Sequence, residues 1–130
     1  TRALVPAAID AALARRPFPM TAGLQTRELN FVDDIARGLL LAATTPDAVG
    51  QIVNIASGDE HSVVDIARLI FELAGAPPDL LQPGAVPTRE GEVPRFSGST
   101  ARCSALLDYR PAVSLRDGLL RTLDAARSQP

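Results

Sequence analysis

One segment, Gln51–Ala56, most limits what this chain can fold into. Its mostly apolar character is typical of a strand that is buried on both faces, as in a parallel sheet. Four or five segments with helical periodicity accompany this single long strand. Alternating helices and strands indicate an α/β protein, but a doubly wound sheet needs more than one long strand. We therefore expect an irregular α/β lobe with four to five helices and few short strands, or part of a larger domain.

The predicted helices are marked by apolar residues that recur at spacings of three and four. The clearest runs from Val63 to Ala74, and it is preceded by Ser62, which forms a capping-box pattern with Asp65. Asp33 is a good N-cap for an earlier helix, which explains an aspartate there without invoking a metal. The predicted helices cover residues 2–15, 33–43, 62–74 and 99–107, and a last helix opens at Ser114.

Composition excludes several classes of function. The 130 residues are enough for one domain, residues 1–130. A net charge of −2 argues against a general nucleic-acid surface. No apolar run approaches the roughly 20 residues that span a bilayer, so we expect no membrane partner. The only cysteine, Cys103, excludes an internal disulfide and a cysteine-based metal cluster, and favours a cytoplasmic protein without a metal site.

The residues needed for several kinds of catalysis are missing. All 13 basic residues are arginine, so the chain has no lysine to form a Schiff base or to bind phosphate. No glycine-rich dinucleotide loop is present. The only tyrosine is Tyr109, and the residue four positions later is Val113 rather than lysine. We expect no catalytic residue and no cofactor site in this chain, which would be catalytically silent alone.

Residues 26–34 indicate where the chain would hold an anion. They join a short alternating run to a helix, and α/β proteins place ligand-binding groups at such junctions. Arg27 lies just before this junction, and the planar fork of an arginine matches a phosphate. The segment therefore predicts an anion site at the edge of a sheet.

Seven motifs follow one another along nearly the whole chain. They are Leu4-Val5-Pro6, Gln25-Thr26-Arg27 with Phe31-Val32-Asp33-Asp34, Gln51–Ile55 with Ser57-Gly58, Ser62-Val63 with Asp65, Arg89–Pro94, Leu106-Leu107 with Arg110-Pro111, and Ser114-Leu115 with Gly118-Leu119. The stretch Pro17–Met20 lies between the first two of them. In this order and spacing, the chain resembles the C-terminal half of the extended short-chain dehydrogenases/reductases, the NAD-dependent nucleotide-sugar epimerases and dehydratases. The resemblance implies a substrate-binding lobe whose N-terminal Rossmann half, with its dinucleotide loop and Tyr-x-x-x-Lys pair, is absent.

The resemblance also implies roles for individual residues. Arg27 and Arg89 match two arginines that contact the diphosphate of the substrate, and Glu92 matches an acidic residue that reaches its ribose. Charge and hydrogen bonding fit these roles, because arginine forms strong charge-assisted contacts and a carboxylate accepts from a diol. The positions that match the nucleotide pocket are Leu4, Pro19, Met20 and Phe96. The last of these stands where a tyrosine is common in some epimerases.

Two functions remain open. In the first, the chain binds a nucleotide-sugar within an epimerase, dehydratase or reductase whose other half holds NAD or NADP. In the second, it is a non-catalytic module that stands alone and binds nucleotides or associates with itself. Apolar faces on the helices at 33–43 and 62–74 would favour self-association, so the expected partner is either the Rossmann half or a second copy.

Overall fold

The computed structural model describes residues 3–128. Within that range the chain forms five α-helices and five strands of two or three residues. The helices are Leu4–Leu13 (α1), Val32–Thr44 (α2), Val63–Ala74 (α3), Ala101–Leu107 (α4) and Leu115–Arg127 (α5). The strands are Phe18–Met20 (β1), Thr26–Glu28 (β2), Glu60–Ser62 (β3), Leu81–Pro83 (β4) and Arg95–Phe96 (β5). The predicted α/β lobe of four to five helices with few short strands is confirmed.

The strands make two small sheets. β1 and β4 pair in parallel, with Phe18 opposite Leu81 and Met20 opposite Pro83. The other three strands form a second sheet in the order β3, β2, β5. Because the strands are so short, the helices supply most of the buried apolar side chains. None of the described helices combines the length and the apolar character that crossing a membrane demands.

The chain divides into two compact units. The first contains the segment that ends at Arg27, residues 61–95 and the segment that begins at Leu119. The second contains residues 28–60 and 96–118.

The core of the first unit is formed where α1 packs against α3. Ala8 and Ile9 of α1 are buried, and so are Ile66 and Phe71 of α3. The ring of Phe18, in β1, lies 6.2 Å from the ring of Phe71. The apolar face of α3 is therefore covered within the chain, contrary to the expectation that it would be left for a partner.

The start of α3 is set by the predicted capping box. The Ser62 hydroxyl accepts the Asp65 N–H at 3.1 Å and donates to the Asp65 carboxylate at 2.6 Å. These contacts satisfy one of the helix N–H groups that have no partner within the helix. The hydrogen bonds from Ser62 and Arg68 lower the pKa of Asp65.

The second unit has its own core, in which Cys103, Leu107 and Tyr109 are buried together. Half-buried side chains of Val53 and Ile55 pack against this cluster, as do residues of α2. The Tyr109 hydroxyl is buried without a hydrogen-bond partner in the described part of the chain. Burial raises the pKa of Tyr109, and the charge of Asp34 raises it further.

The segment Gln51–Ala56 is not a strand, so that prediction was wrong. Residues 51–59 belong to no helix or strand, and Ile52 is 83% exposed. A strand buried on both faces needs neighbouring strands and a layer on each side. Among the described residues no strand pairs with this segment. Val53 and Ile55 pack half-buried against the core of the second unit, and Ala56 is buried.

The predicted N-cap at Asp33 was also wrong. α2 begins at Val32, with Phe31 at the capping position and no side-chain cap. Asp33 is exposed in the first turn, whereas Asp34 is buried. The helix starts before either aspartate because Phe31 already has the extended backbone that precedes a helix.

Asp34 instead anchors the chain that leads into α5. Its carboxylate accepts the N–H groups of Ala112 and Val113 at 3.0 and 2.9 Å and an Arg37 N–H at 2.9 Å. Burial raises the pKa of Asp34, but the hydrogen bonds from Arg37, Ala112 and Val113 outweigh burial and hold it below its ordinary value of 3.8. The ionised carboxylate therefore stabilises the second unit.

Replacing Asp34 by asparagine is expected to lower the free energy of unfolding at pH 7 by about 1–3 kcal/mol, because one amide oxygen cannot replace a buried carboxylate. The folded-state pKa is depressed, so this contribution is present above pH 3.8 and is lost as the pH falls through the folded value. Urea unfolding of wild type and variant at pH 7 and at decreasing pH measures both effects.

Asp33→Asn is the matched control, since it removes the same charge from the exposed position next to it. We expect a change within about 0.5 kcal/mol for this variant. Equal losses in the two variants would contradict the anchoring role of Asp34.

Candidate functional site

Arg27 is held in place by main-chain groups. Its Nη1 donates to the carbonyl oxygens of Thr26, at 2.7 Å, and of Val93, at 2.9 Å. The Thr26 N–H donates to the Pro94 carbonyl at 2.8 Å, which ties this part of β2 to the same loop. The Nη2 of Arg27 donates to the carboxylate of Glu92. The guanidinium is therefore oriented by three acceptors.

Arg27 and Glu92 belong to the lining of one cavity of about 530 Å³, and both side chains are about one quarter exposed. The cavity lies within the first unit. Six of the seven predicted site residues line it, and they are Leu4, Pro19, Met20, Arg27, Arg89 and Glu92. The remaining lining residues include Phe18, Val63 and Val86, so the cavity combines charged and apolar side chains.

A tight turn carries two of the charged residues. The Glu92 N–H donates to the Arg89 carbonyl at 3.2 Å, and Gly91 between them has a φ of 76°. A four-residue turn with a positive φ at its third position favours glycine there. The Arg-Glu-Gly-Glu pattern thus places Arg89 and Glu92 side by side, and the Arg89 side chain is exposed.

The segment from Gly23 to Gln25, which leads into β2, is tied to the start of α3. The N–H groups of Val63 and Val64, at the start of α3, donate to the carbonyls of Gln25 and Gly23 at 3.0 Å each. Gly23 has a φ of 69°, and a side chain there would lie 2.7 Å from the Met20 methyl group and 2.8 Å from the Val64 nitrogen. Only glycine fits this position, because both the backbone conformation and the space exclude a Cβ.

Phe96 is not among the residues that line the cavity of about 530 Å³. It is in β5, 70% exposed, and lines a cavity of about 470 Å³ with Asn54, Ile55 and Gly98 of the second unit. Its predicted contact with a nucleotide stays a prediction.

Glu28 carries a role that the sequence pattern does not indicate. Its carboxylate accepts N–H groups from Asn30 at 2.8 Å, Ser57 at 2.5 Å and Gly98 at 2.9 Å. Burial raises the pKa of Glu28, but these hydrogen bonds lower it overall. Glu28 therefore holds two loops of the second unit together. Its partners lie up to 70 positions away, so local spacing contains no signal for it.

No group of three or more His, Cys, Asp or Glu side chains that could hold a metal occurs in residues 3–128. The charged groups of the 530 Å³ cavity are two arginines and one glutamate. Such a set suits an anionic ligand, since the guanidinium fork matches phosphate oxygens, while the apolar wall suits a ring.

Comparison with known proteins finds relatives of this sequence and fold in one family. Residues 1–56 match the model of the NAD dependent epimerase/dehydratase family. The chain is 36% identical over 101 residues to dTDP-glucose 4,6-dehydratase of Streptomyces griseus, an alignment that covers 78% of this chain and 30% of that protein.

Solved structures give the same result. An epimerase from Methanothermobacter thermautotrophicus superposes with a TM-score of 0.84 at 36% identity, covering 95% of this chain and 36% of that one. The Bordetella bronchiseptica enzyme WbmF, solved with NAD+ and UDP, superposes with a TM-score of 0.80 at 32% identity, covering 98% and 36%. The resemblance to the extended short-chain dehydrogenases/reductases, the NAD-dependent epimerases and dehydratases, is confirmed. The chain spans about one third of the length of these relatives.

Replacing Gly23 by alanine is expected to destabilise the first unit by at least about 2 kcal/mol, because the new methyl group adds a clash with main chain to the strain of a positive φ. Thermal unfolding followed by circular dichroism measures the loss.

The control is Gly84→Ala, where φ is 83° and nothing lies within 4 Å of the added carbon. This variant isolates backbone strain, which costs about 1 kcal/mol or slightly more. If Gly23→Ala is no worse than Gly84→Ala, the close approach to Met20 and Val64 does not constrain the site.

Proposed function

We propose that the chain binds the nucleoside diphosphate of a nucleotide-sugar as the substrate-binding domain of an NAD- or NADP-dependent epimerase, dehydratase or reductase. Arg27 and Arg89 hold the diphosphate, and Glu92 accepts hydrogen bonds from the ribose. Leu4, Pro19 and Met20 line the pocket of the base.

The observation that carries this proposal is the convergence of both arginines, the glutamate and an apolar wall on one cavity of about 530 Å³. That volume lies in the range of small-molecule sites. A diphosphate diester carries about two negative charges, and each charge-assisted contact with an arginine contributes roughly 1.5–3 kcal/mol. The related WbmF was solved with UDP, a ligand of this chemical class.

The residues present in this chain decide which functions of the parent enzyme we assign to it. Oxidation of a sugar hydroxyl needs a bound nicotinamide and a base, and these 130 residues include neither a dinucleotide loop nor a Tyr-x-x-x-Lys pair. We assign NAD or NADP and the catalytic pair to the rest of the parent enzyme, and substrate binding to this chain. Alone, the chain binds nucleotide without turning over the sugar.

Replacing Arg89 by alanine is expected to weaken binding of UDP-glucose or dTDP-glucose by about one to two orders of magnitude, because one charge-assisted contact to the diphosphate is lost. Isothermal titration of the chain with a panel of UDP-, GDP- and dTDP-sugars measures the dissociation constants.

Arg68→Ala is the matched control. It removes the same charge from an exposed position on α3, where Arg68 pairs with Asp65 outside the cavity. We expect its affinity to stay within about twofold of wild type. Absence of binding to every nucleotide-sugar, or an equal loss in both variants, would refute the proposed site.

A second candidate function, self-association, is favoured by the exposed apolar side chains of α2. Leu39 and Leu40 are 59% and 65% exposed, and Val32 in the first turn is also exposed. Large apolar side chains grouped on one helix mark a surface that another protein covers. In the first proposal the remainder of the parent enzyme covers α2, and in this one a second copy of the chain does.

Sedimentation velocity of the chain over a range of concentrations distinguishes self-association from the first proposal. A dimer that dissociates when Leu39 and Leu40 are both replaced by serine, combined with no nucleotide binding, would support self-association. A monomer that binds a nucleotide-sugar would support the first proposal.

A further inference from the structure

The three acceptors of Arg27 are of two kinds. Two are main-chain carbonyl oxygens, those of Thr26 and Val93, and they leave Nη1 fixed on the loop. The third is the carboxylate of Glu92, which reaches Nη2 through a flexible side chain. Only the contact with Glu92 can be exchanged for a ligand without moving the main chain.

Glu92 also sets the charge of the cavity. The charged lining residues are Arg27, Arg89 and Glu92, so one positive charge remains when all three are ionised. An arriving anion meets the negative carboxylate at the same guanidinium that would bind it. Charges this close, and only partly exposed, interact strongly because the surrounding dielectric is low.

We propose that Glu92 occupies the fork of Arg27 in the absence of ligand and thereby selects nucleoside diphosphates over inorganic diphosphate and other bare polyanions. This inference rests on the proposed function and adds a selection step to it. A nucleoside diphosphate supplies two ribose hydroxyls, which donate to Glu92 after it has left Arg27. A bare polyanion supplies no donor, so the displaced carboxylate stays unpaired and repels it.

Part of this selectivity comes from repulsion of the wrong ligand rather than attraction of the right one. The side chain responsible for this repulsion is that of Glu92. Glu90, two positions earlier in the same turn, is exposed and is not among the residues that line the cavity.

The test is isothermal titration of the chain and of its Glu92→Gln variant with UDP-glucose and with inorganic pyrophosphate, in metal-free buffer. We expect Glu92→Gln to tighten pyrophosphate binding and to reduce the preference for UDP-glucose over pyrophosphate by about tenfold or more. Glu92→Ala, which removes the same charge through a different side chain, is expected to change the preference in the same direction.

Glu90→Gln is the matched control, because it removes the same charge from the same turn outside the cavity. We expect its preference to stay within about twofold of wild type. An unchanged preference in both Glu92 variants, or an equal change in Glu90→Gln, would overturn the inference.

The same titrations distinguish failure of the proposed function from failure of this inference. If wild type binds no nucleotide-sugar, the proposed function is wrong. In that case, pyrophosphate binding that increases in Glu92→Gln but not in Glu90→Gln would still show that Glu92 excludes anions. If wild type binds UDP-glucose and no variant changes its preference for UDP-glucose over pyrophosphate, the proposed function is supported. The role of Glu92 in selection is then refuted.

Discussion

The packing of α1 against α3 is the interaction on which the candidate site depends. Its small and branched residues, Ala8, Ile9 and Ile66, are buried between the two helices. Each large apolar side chain buried in this way contributes roughly 1.5–3 kcal/mol. The cavity is lined in part by Leu4 of α1 and Val63 of α3, so this packing positions part of its wall.

Two carboxylates, the buried Asp34 and the half-buried Glu28, hold the chain of the second unit together. Asp34 joins the start of α2 to residues 112 and 113, and Glu28 joins the loops at Ser57 and Gly98. Each of these carboxylates accepts main-chain N–H groups. In a longer sheet, such groups would instead be bonded to the carbonyl oxygens of a neighbouring strand. Both pKa values lie below the ordinary range, as expected for carboxylates that the fold keeps ionised.

Local patterns in the sequence predict much of this fold, because helix periodicity and capping act over a few residues. The helix Val63–Ala74 and its Ser62 cap are examples. The segment Gln51–Ala56 fails for the opposite reason, since strand formation depends on partners that its own residues do not encode. The sequence favours Asp33 as the cap, but Asp34 is the aspartate with the structural role, and its main-chain partners are 78 and 79 positions away.

The candidate site likewise has one part that the sequence predicts and another that depends on contacts between distant residues. Family motifs identify the arginines and the glutamate, and six of the seven predicted residues line one cavity. The pairing of Arg27 with Glu92, 65 positions apart, follows only from the folded loop and could not be predicted from spacing.

The bonds from Arg27 to two main-chain carbonyls have a consequence for how fast and how favourably a ligand can bind. An arginine side chain that is free in solution loses roughly 2 kcal/mol of rotamer entropy when it is immobilised. In this fold the main chain already orders the side chain, so folding rather than binding accounts for that loss. Under the proposed function, the diphosphate would then replace only the Glu92 carboxylate at Nη2.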